Sequence, residues 1–213
     1  MPRVRVRQHV NPLAKKYQNP VVLPDWSQVF EDMSRPIHLD IGCARGRFPL
    51  MLAPLQPDWN ILGLEIRESL VEEANRIRDE ERLKNLHYLF CNVNVDGVQI
   101  FDSLPPGRVQ WVSIQFPDPW FKQRHAKRRV VQPELVALLA ERLPGGARVF
   151  LQSDVEAIAQ EMTHQFTAHP AFVCQHDAPW LPENPLPVTT ERERATHRKG
   201  QPVYRSLFAR QSS

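Results

Sequence analysis

A chain of 213 residues can bury one full-sized hydrophobic core and is too short for two. The formal net charge is only +3, but the cations are uneven. The first sixteen residues carry Arg3, Arg5, Arg7, Lys15 and Lys16 and no acid, a local excess that suits a polyanionic partner. Cys43, Cys91 and Cys174 lack metal-ligand or redox spacing, no apolar run is long enough to cross a bilayer, and the start lacks the apolar core of a signal peptide. These features argue against a disulfide scaffold, a zinc site and a membrane anchor, and make a cytoplasmic location the expectation.

Residues 1–34 are basic at the start and punctuated by proline, and read as an arm that orders on a partner or packs along the domain formed by residues 35–213. Residues 37–41, bounded by Pro36 and Gly42, read as a buried strand, and residues 47–53 as a helix stopped by Pro54. A second strand covers 60–65. Behind it Ser69 and Glu72 have capping-box spacing, and Leu70, Ala74 and Ile77 form one apolar helical face. Residues 86–90 and 109–115 are further strands. Pro133 opens a helix striped by Leu135, Leu138 and Leu139 and ended by Gly145-Gly146. A strand at 149–152, a helix at 155–167, a proline-rich loop at 179–187 and a last strand at 203–209 complete the pattern. Alternating strands and helices imply an α/β fold, a mostly parallel sheet with helices on both faces.

Open α/β sheets bind ligands beyond the carboxyl ends of their strands. The first strand here runs into Asp40-Ile41-Gly42-Cys43-Ala44-Arg45-Gly46, and the second ends in Glu65. Glycines at such a turn let a cofactor approach backbone amides, and an acid at the end of the second strand can accept both ribose hydroxyls. An adenosine-containing ligand fits this pattern. Ala44 takes the place of the middle glycine of the dinucleotide fingerprint, which disfavours a nicotinamide dehydrogenase. The stretch from Leu39 to Gly46 resembles the first motif of the Rossmann-like S-adenosylmethionine-dependent methyltransferases. That resemblance implies a seven-stranded, mostly parallel sheet, S-adenosylmethionine as donor and S-adenosylhomocysteine as product. It also implies Asp40 and Gly42 near the methionine end, Glu65 on the ribose and Asn92 at the adenine.

After the fourth strand comes Phe116-Pro117-Asp118-Pro119-Trp120, then Lys122, Arg124, His125, Lys127, Arg128 and Arg129. Proline on both sides holds Asp118 in place, beside cations suited to phosphates. With Gln132-Pro133-Glu134, Ser153-Asp154 and Thr190-Glu191-Arg192-Glu193, this segment resembles the signature of the bacterial TrmB-type tRNA (guanine-N7-)-methyltransferases. Phe121 and Arg192 depart from it, where a polar residue and an aromatic are common. The resemblance implies methyl transfer to N7 of a guanine in the tRNA variable loop, with Asp118 catalytic and beside the cofactor. Lys122, Asp154, Thr190, Glu191, Arg192 and Glu193 become substrate contacts. N7 carries a lone pair and no proton, so no general base is needed, and a fixed carboxylate can stabilise the charge arriving on the purine or hold the guanine's donor edge. Trp120 is either a stacking platform for the base or an anchor of its own loop. Two other readings stand beside this one. An adenine or cytosine amino-methyltransferase normally has two prolines between acid and aromatic, where Asp118-Pro119-Trp120 has one; a non-catalytic RNA-binding module would have lost cofactor binding. No metal is expected, since the histidines show no ligand spacing, and the expected state is monomer or homodimer.

Overall fold

The computed structural model describes residues 10–212. The apolar runs form β1 (Ile37–Ile41), β2 (Asn60–Glu65), β3 (Leu86–Phe90), β4 (Val109–Gln115) and β5 (Arg148–Ser153), followed by β6 (Phe172–Cys174) and β7 (Tyr204–Arg210). They make one seven-stranded sheet in the order β3-β2-β1-β4-β5-β7-β6. The first five strands pair in parallel, and β7 runs antiparallel to both β5 and β6. The order reverses between β1 and β4, which opens a crevice beyond their carboxyl ends. Because β7 is antiparallel, its first residues reach that same edge, with Gln152 opposite Arg205 and Ser153 opposite Tyr204.

The helices are α1 (Trp26–Val29), α2 (Arg47–Leu52), α3 (Glu68–Glu80), α4 (Val93–Ser103), α5 (Pro133–Arg142), α6 (Glu156–Thr167) and α7 (Glu191–Arg198). Successive strand residues point to opposite faces, and the buried residues divide accordingly. Leu39, Ile41, Val112, Ile114, Val149 and Leu151 pack with Ile100 of α4, Leu139 of α5 and Phe166 of α6. Ile61, Tyr88, Phe150 and Leu207 pack with Phe48 and Leu52 of α2 and Val71 and Ala74 of α3. Of the arm proposed from sequence, Val21, Trp26 and Phe30 belong to the first of these cores, and Trp26 Nε1 donates to Ser103 Oγ at 2.9 Å. Arg3, Arg5 and Arg7 lie outside the described residues.

Some local expectations are corrected. The N-cap of α3 is Arg67, so Ser69 and Glu72 sit inside the helix and form no capping box. Glu65 fixes the chain's entry instead, by accepting from the Arg67 backbone N–H at 3.0 Å. Helix α5 stops at Leu143, whose backbone is extended ahead of Pro144, before the glycine pair. Helices α4 and α7, strand β6 and a 3-10 turn at Gln123–Arg128 were not foreseen.

Candidate functional site

The turn after β1 places Gly42, Ala44 and Gly46 in the left-handed region, at φ 80°, 53° and 68°. A Cβ on Gly42 meets nothing within 4 Å, so the space above it is open; one on Gly46 would sit 2.4 Å from the Tyr88 ring. Tyr88 also donates its hydroxyl to the Gly46 carbonyl at 2.5 Å, locking the turn onto β3.

His38 and Asp40 of β1, Ser113 and Gln115 of β4, Gln152 of β5 and Arg205 of β7 share one face of the sheet by strand alternation. They form a directed row. Arg205 Nε donates to Gln152 Oε1 at 3.3 Å, Gln152 Nε2 to Gln115 Oε1 at 2.7 Å, and Gln115 Nε2 to Asp40 Oδ1 at 3.1 Å. Arginine can only donate, so it orients each amide in turn and leaves a donor aimed at Asp40. Ser113 Oγ donates to the same Asp40 oxygen at 2.5 Å, and the His38 ring lies 2.9 Å from Ser113 Oγ. Burial pushes His38 down to about 3, so the ring is neutral and its Nε2–H donates to the serine. This is no nucleophilic triad: the serine proton is given to the carboxylate. Burial raises the Asp40 carboxyl to about 6; Ser113 and Gln115 pull it down and the charge of Glu65 pushes it further up.

Glu65, 3% exposed, accepts from the Ala44 backbone N–H at 2.8 Å and from Arg67 through its N–H, Nε and Nη2 at 3.0, 2.8 and 3.0 Å. Burial lowers the Arg67 pKa, but the hydrogen bonds and charge of Glu65, with the charge of Asp118, outweigh it and raise the value. Arg67 thus bonds Glu65 directly and also feels the charge of Asp118. Asn92 is the N-cap of α4. Its side-chain amide donates to the Pro12 and Tyr17 carbonyls, both at 3.1 Å, and Asp96 accepts from the backbone N–H groups of Asn92 and Val21 at 2.8 and 3.1 Å.

The Asp118 segment is half-buried, with φ 50° at Phe116 and 41° at Trp120. The Arg128 guanidinium lies 4.9 Å over the Trp120 ring and His125 meets its edge at 5.6 Å. Lys122, Arg124 and Lys127 are exposed. Arg129, assigned from sequence to phosphates, instead turns inward, donating to the Pro119 and Trp120 carbonyls at 3.0 and 3.1 Å and pairing with Glu161.

Thr190 caps α7, its Oγ1 accepting from the Glu193 N–H at 3.0 Å. Glu191 pairs with Arg47, and Arg192 with Asp154 at 2.5 Å. Glu193, 1% exposed, accepts from Arg205 at 2.7 Å, Asn184 at 2.9 Å and Gln152 at 3.3 Å. The structure thus gathers Asp40, Gly42, Glu65, Asn92 and Asp118 along the carboxyl edge of the sheet, with Asp154 and Thr190 to Glu193 on its β5–β7 side. Ser113, Gln115, Gln152, Arg205 and Arg67 join them without having been singled out. Polar residues inside apolar strands were the signal for the first three. A cleft of about 1200 Å³, lined by Arg45, Arg47, Met51, Glu73, Glu191 and Arg194, shares Glu191 with this site and contains neither Asp40 nor Glu65. Among the described residues no His, Cys, Asp and Glu cluster could hold a metal.

Buried acids at the ends of adjacent strands and an open left-handed turn between them fit an adenosine-containing cofactor. Residues 34–206 match the family model described as "Putative methyltransferase". The chain is 62% identical over 208 residues to the tRNA (guanine-N(7)-)-methyltransferase of Microcystis aeruginosa, covering 98% of this chain and 99% of that one. It belongs to the tRNA (guanine-N(7)-)-methyltransferase family. The enzyme of that name from Synechocystis is 60% identical over 210 residues, 99% of each chain. Outside the family the likeness is one of fold: the 16S rRNA methyltransferase KamB superposes with a TM-score of 0.59 at 15% identity, over 87% of this chain and 92% of that one. No helix among the described residues is long and apolar enough to cross a membrane.

Proposed function

We propose that this chain transfers the methyl group of S-adenosylmethionine to N7 of a guanine in the variable loop of tRNA. The observation that carries this reading is its identity, over nearly the whole length, to relatives named as tRNA (guanine-N(7)-)-methyltransferases. When bound, the cofactor supplies an electrophilic methyl on a sulfonium sulfur; the C–S bond breaks as the C–N7 bond forms, and the positive charge passes to the purine. The chain's own task is to bind, orient and stabilise. Asp40, a buried acceptor with its donors fixed, receives the cofactor's ammonium. Glu65 receives the ribose diol, which exchanges with part of the Arg67 hold. The Asn92 amide nitrogen is committed to Pro12 and Tyr17, leaving its oxygen to accept from the adenine amino group.

Asp118, whose charge acts on Arg67, faces the guanine and stabilises the charge developing on it. Lys122 and its exposed neighbours Arg124 and Lys127 meet phosphates. Asp154 and the residues Thr190, Glu191 and Arg192 form the opposite rim of the substrate site, and Glu193 acts from beneath it. Incubation of unmodified tRNA with labelled cofactor, followed by nucleoside mass spectrometry, tests the reading. The expected product is 7-methylguanosine, and N6-methyladenosine or no transfer overturns it. Asp118→Ala should lower turnover by roughly 10²-fold or more, the usual cost of removing one electrostatic stabiliser, with cofactor affinity nearly kept.

A further inference from the structure

Trp120 adopts φ 41°, a left-handed conformation that is strained for a bulky side chain and persists only where neighbours enforce it. The Arg129 guanidinium grips both peptide planes flanking this residue. Its Nε donates to the Pro119 carbonyl at 3.0 Å and its Nη2 to the Trp120 carbonyl at 3.1 Å. Its third edge pairs with Glu161 of α6, a helix anchored in the core through Ile158, Met162 and Phe166. The side chain is only 11% exposed, unlike Lys122, Arg124 and Lys127 around it. Gln132 closes the basic run from below by donating to the Ala126 and Arg129 carbonyls at 3.1 and 2.8 Å.

We infer that Arg129 is a positioning residue for methyl transfer: it bolts the strained loop that carries Asp118 to helix α6, and it is not one of the RNA phosphate ligands. This rests on the reading of Asp118 given above. A planar fork with donors on three sides is required, and a lysine ammonium cannot span two carbonyls and a carboxylate in that geometry. Asp118 is the residue immediately before the gripped peptides, and misplacing a reacting group by about 1 Å costs up to about 10²-fold in rate.

The test compares Arg129→Lys and Arg129→Gln with the native enzyme in kcat, KM for tRNA, cofactor affinity and the salt dependence of tRNA binding. The expected result is a loss in kcat of roughly 10- to 100-fold in both variants, with cofactor affinity and the slope of log K against log salt unchanged. A phosphate ligand behaves in the opposite way: Lys keeps native kcat, and Gln loses roughly 0.7–0.9 from the slope. Either native kcat in Arg129→Lys or that change of slope in Arg129→Gln overturns the inference. Cofactor binding reports on folding, so if one variant does not fold the other decides. Asp118→Ala run in parallel separates the two readings. Native turnover there removes Asp118 from the mechanism, whereas a slow Asp118→Ala beside a native-like Arg129→Lys removes only the role of Arg129.

Discussion

Asp40 has been placed so that the empty protein is worse off for its charge. Its carboxyl is raised from 3.8 to about 6, chiefly by burial, so between those values the folded chain holds a proton that the unfolded chain has released. Its contribution to stability therefore falls as pH rises through that window and stays low above it. The shift corresponds to a cost on the order of 3 kcal/mol at neutral pH. Asparagine can still accept from Ser113 and Gln115 without carrying the charge. Asp40→Asn is thus expected to raise the stability of the cofactor-free protein at pH 8 relative to pH 5, measured by urea unfolding at both values. It should weaken S-adenosylmethionine binding at the same time, and remove the loss of affinity expected of the native protein as Asp40 takes up its proton below about pH 6. An Asn variant less stable than native at pH 8 would contradict this account of the row from Arg205 to Asp40.

Helix α7 shows how one stretch of sequence can carry two messages. Thr190-x-x-Glu193 was legible as a family motif and therefore as substrate contact, yet the same spacing is a helix N-terminus, with Thr190 capping the Glu193 N–H. Glu193 then points into the protein, onto Arg205. Removing one partner of a buried pair leaves the other charge stranded, at a cost of about 3–5 kcal/mol, while replacing both by apolar groups is often close to neutral. Glu193→Ala should therefore destabilise the enzyme by that amount in chemical denaturation, and Glu193→Leu with Arg205→Met should recover only part of it, because Asn184 and Gln152 then lose their acceptor. A Glu193→Ala protein of native stability with only a raised KM for tRNA would instead make Glu193 a direct contact. Strands β1 to β4 were readable to the residue because each is a short apolar run closed by a turn. Helix α4 was not: Val93, Val95, Val98 and Gly97 argue against a helix by propensity, and it is the burial of Val93, Ile100 and Phe101 that decides. The inward turn of Arg129 was equally invisible, since nothing in a run of cations says which one finds carbonyls to bind.

Across the whole molecule, the cofactor acids and the Asp118 loop share one sheet edge, and the described part of the arm, a strap at residues 10–31, packs into the first of the two cores. Val21, Trp26 and Phe30 pack with Ile37 and Ile100, and Asn92 and Asp96 tie the strap to the adenine end through Pro12, Tyr17 and Val21. Ligand binding at that edge is therefore linked to unfolding of the domain as one unit. A ligand that binds only the native state adds about 2.7 kcal/mol at one hundred times its Kd, and 1 kcal/mol moves the midpoint of a domain this size by roughly 2–4 °C. S-adenosylmethionine or S-adenosylhomocysteine at that excess should raise Tm by roughly 5–10 °C in calorimetry, as a single transition that coincides with the change in tryptophan fluorescence. Glu65→Ala, which removes the ribose acid and strands Arg67, should abolish most of that rise. Two separate transitions, with only one responding to the cofactor, would mean that the strap folds apart from the sheet it covers.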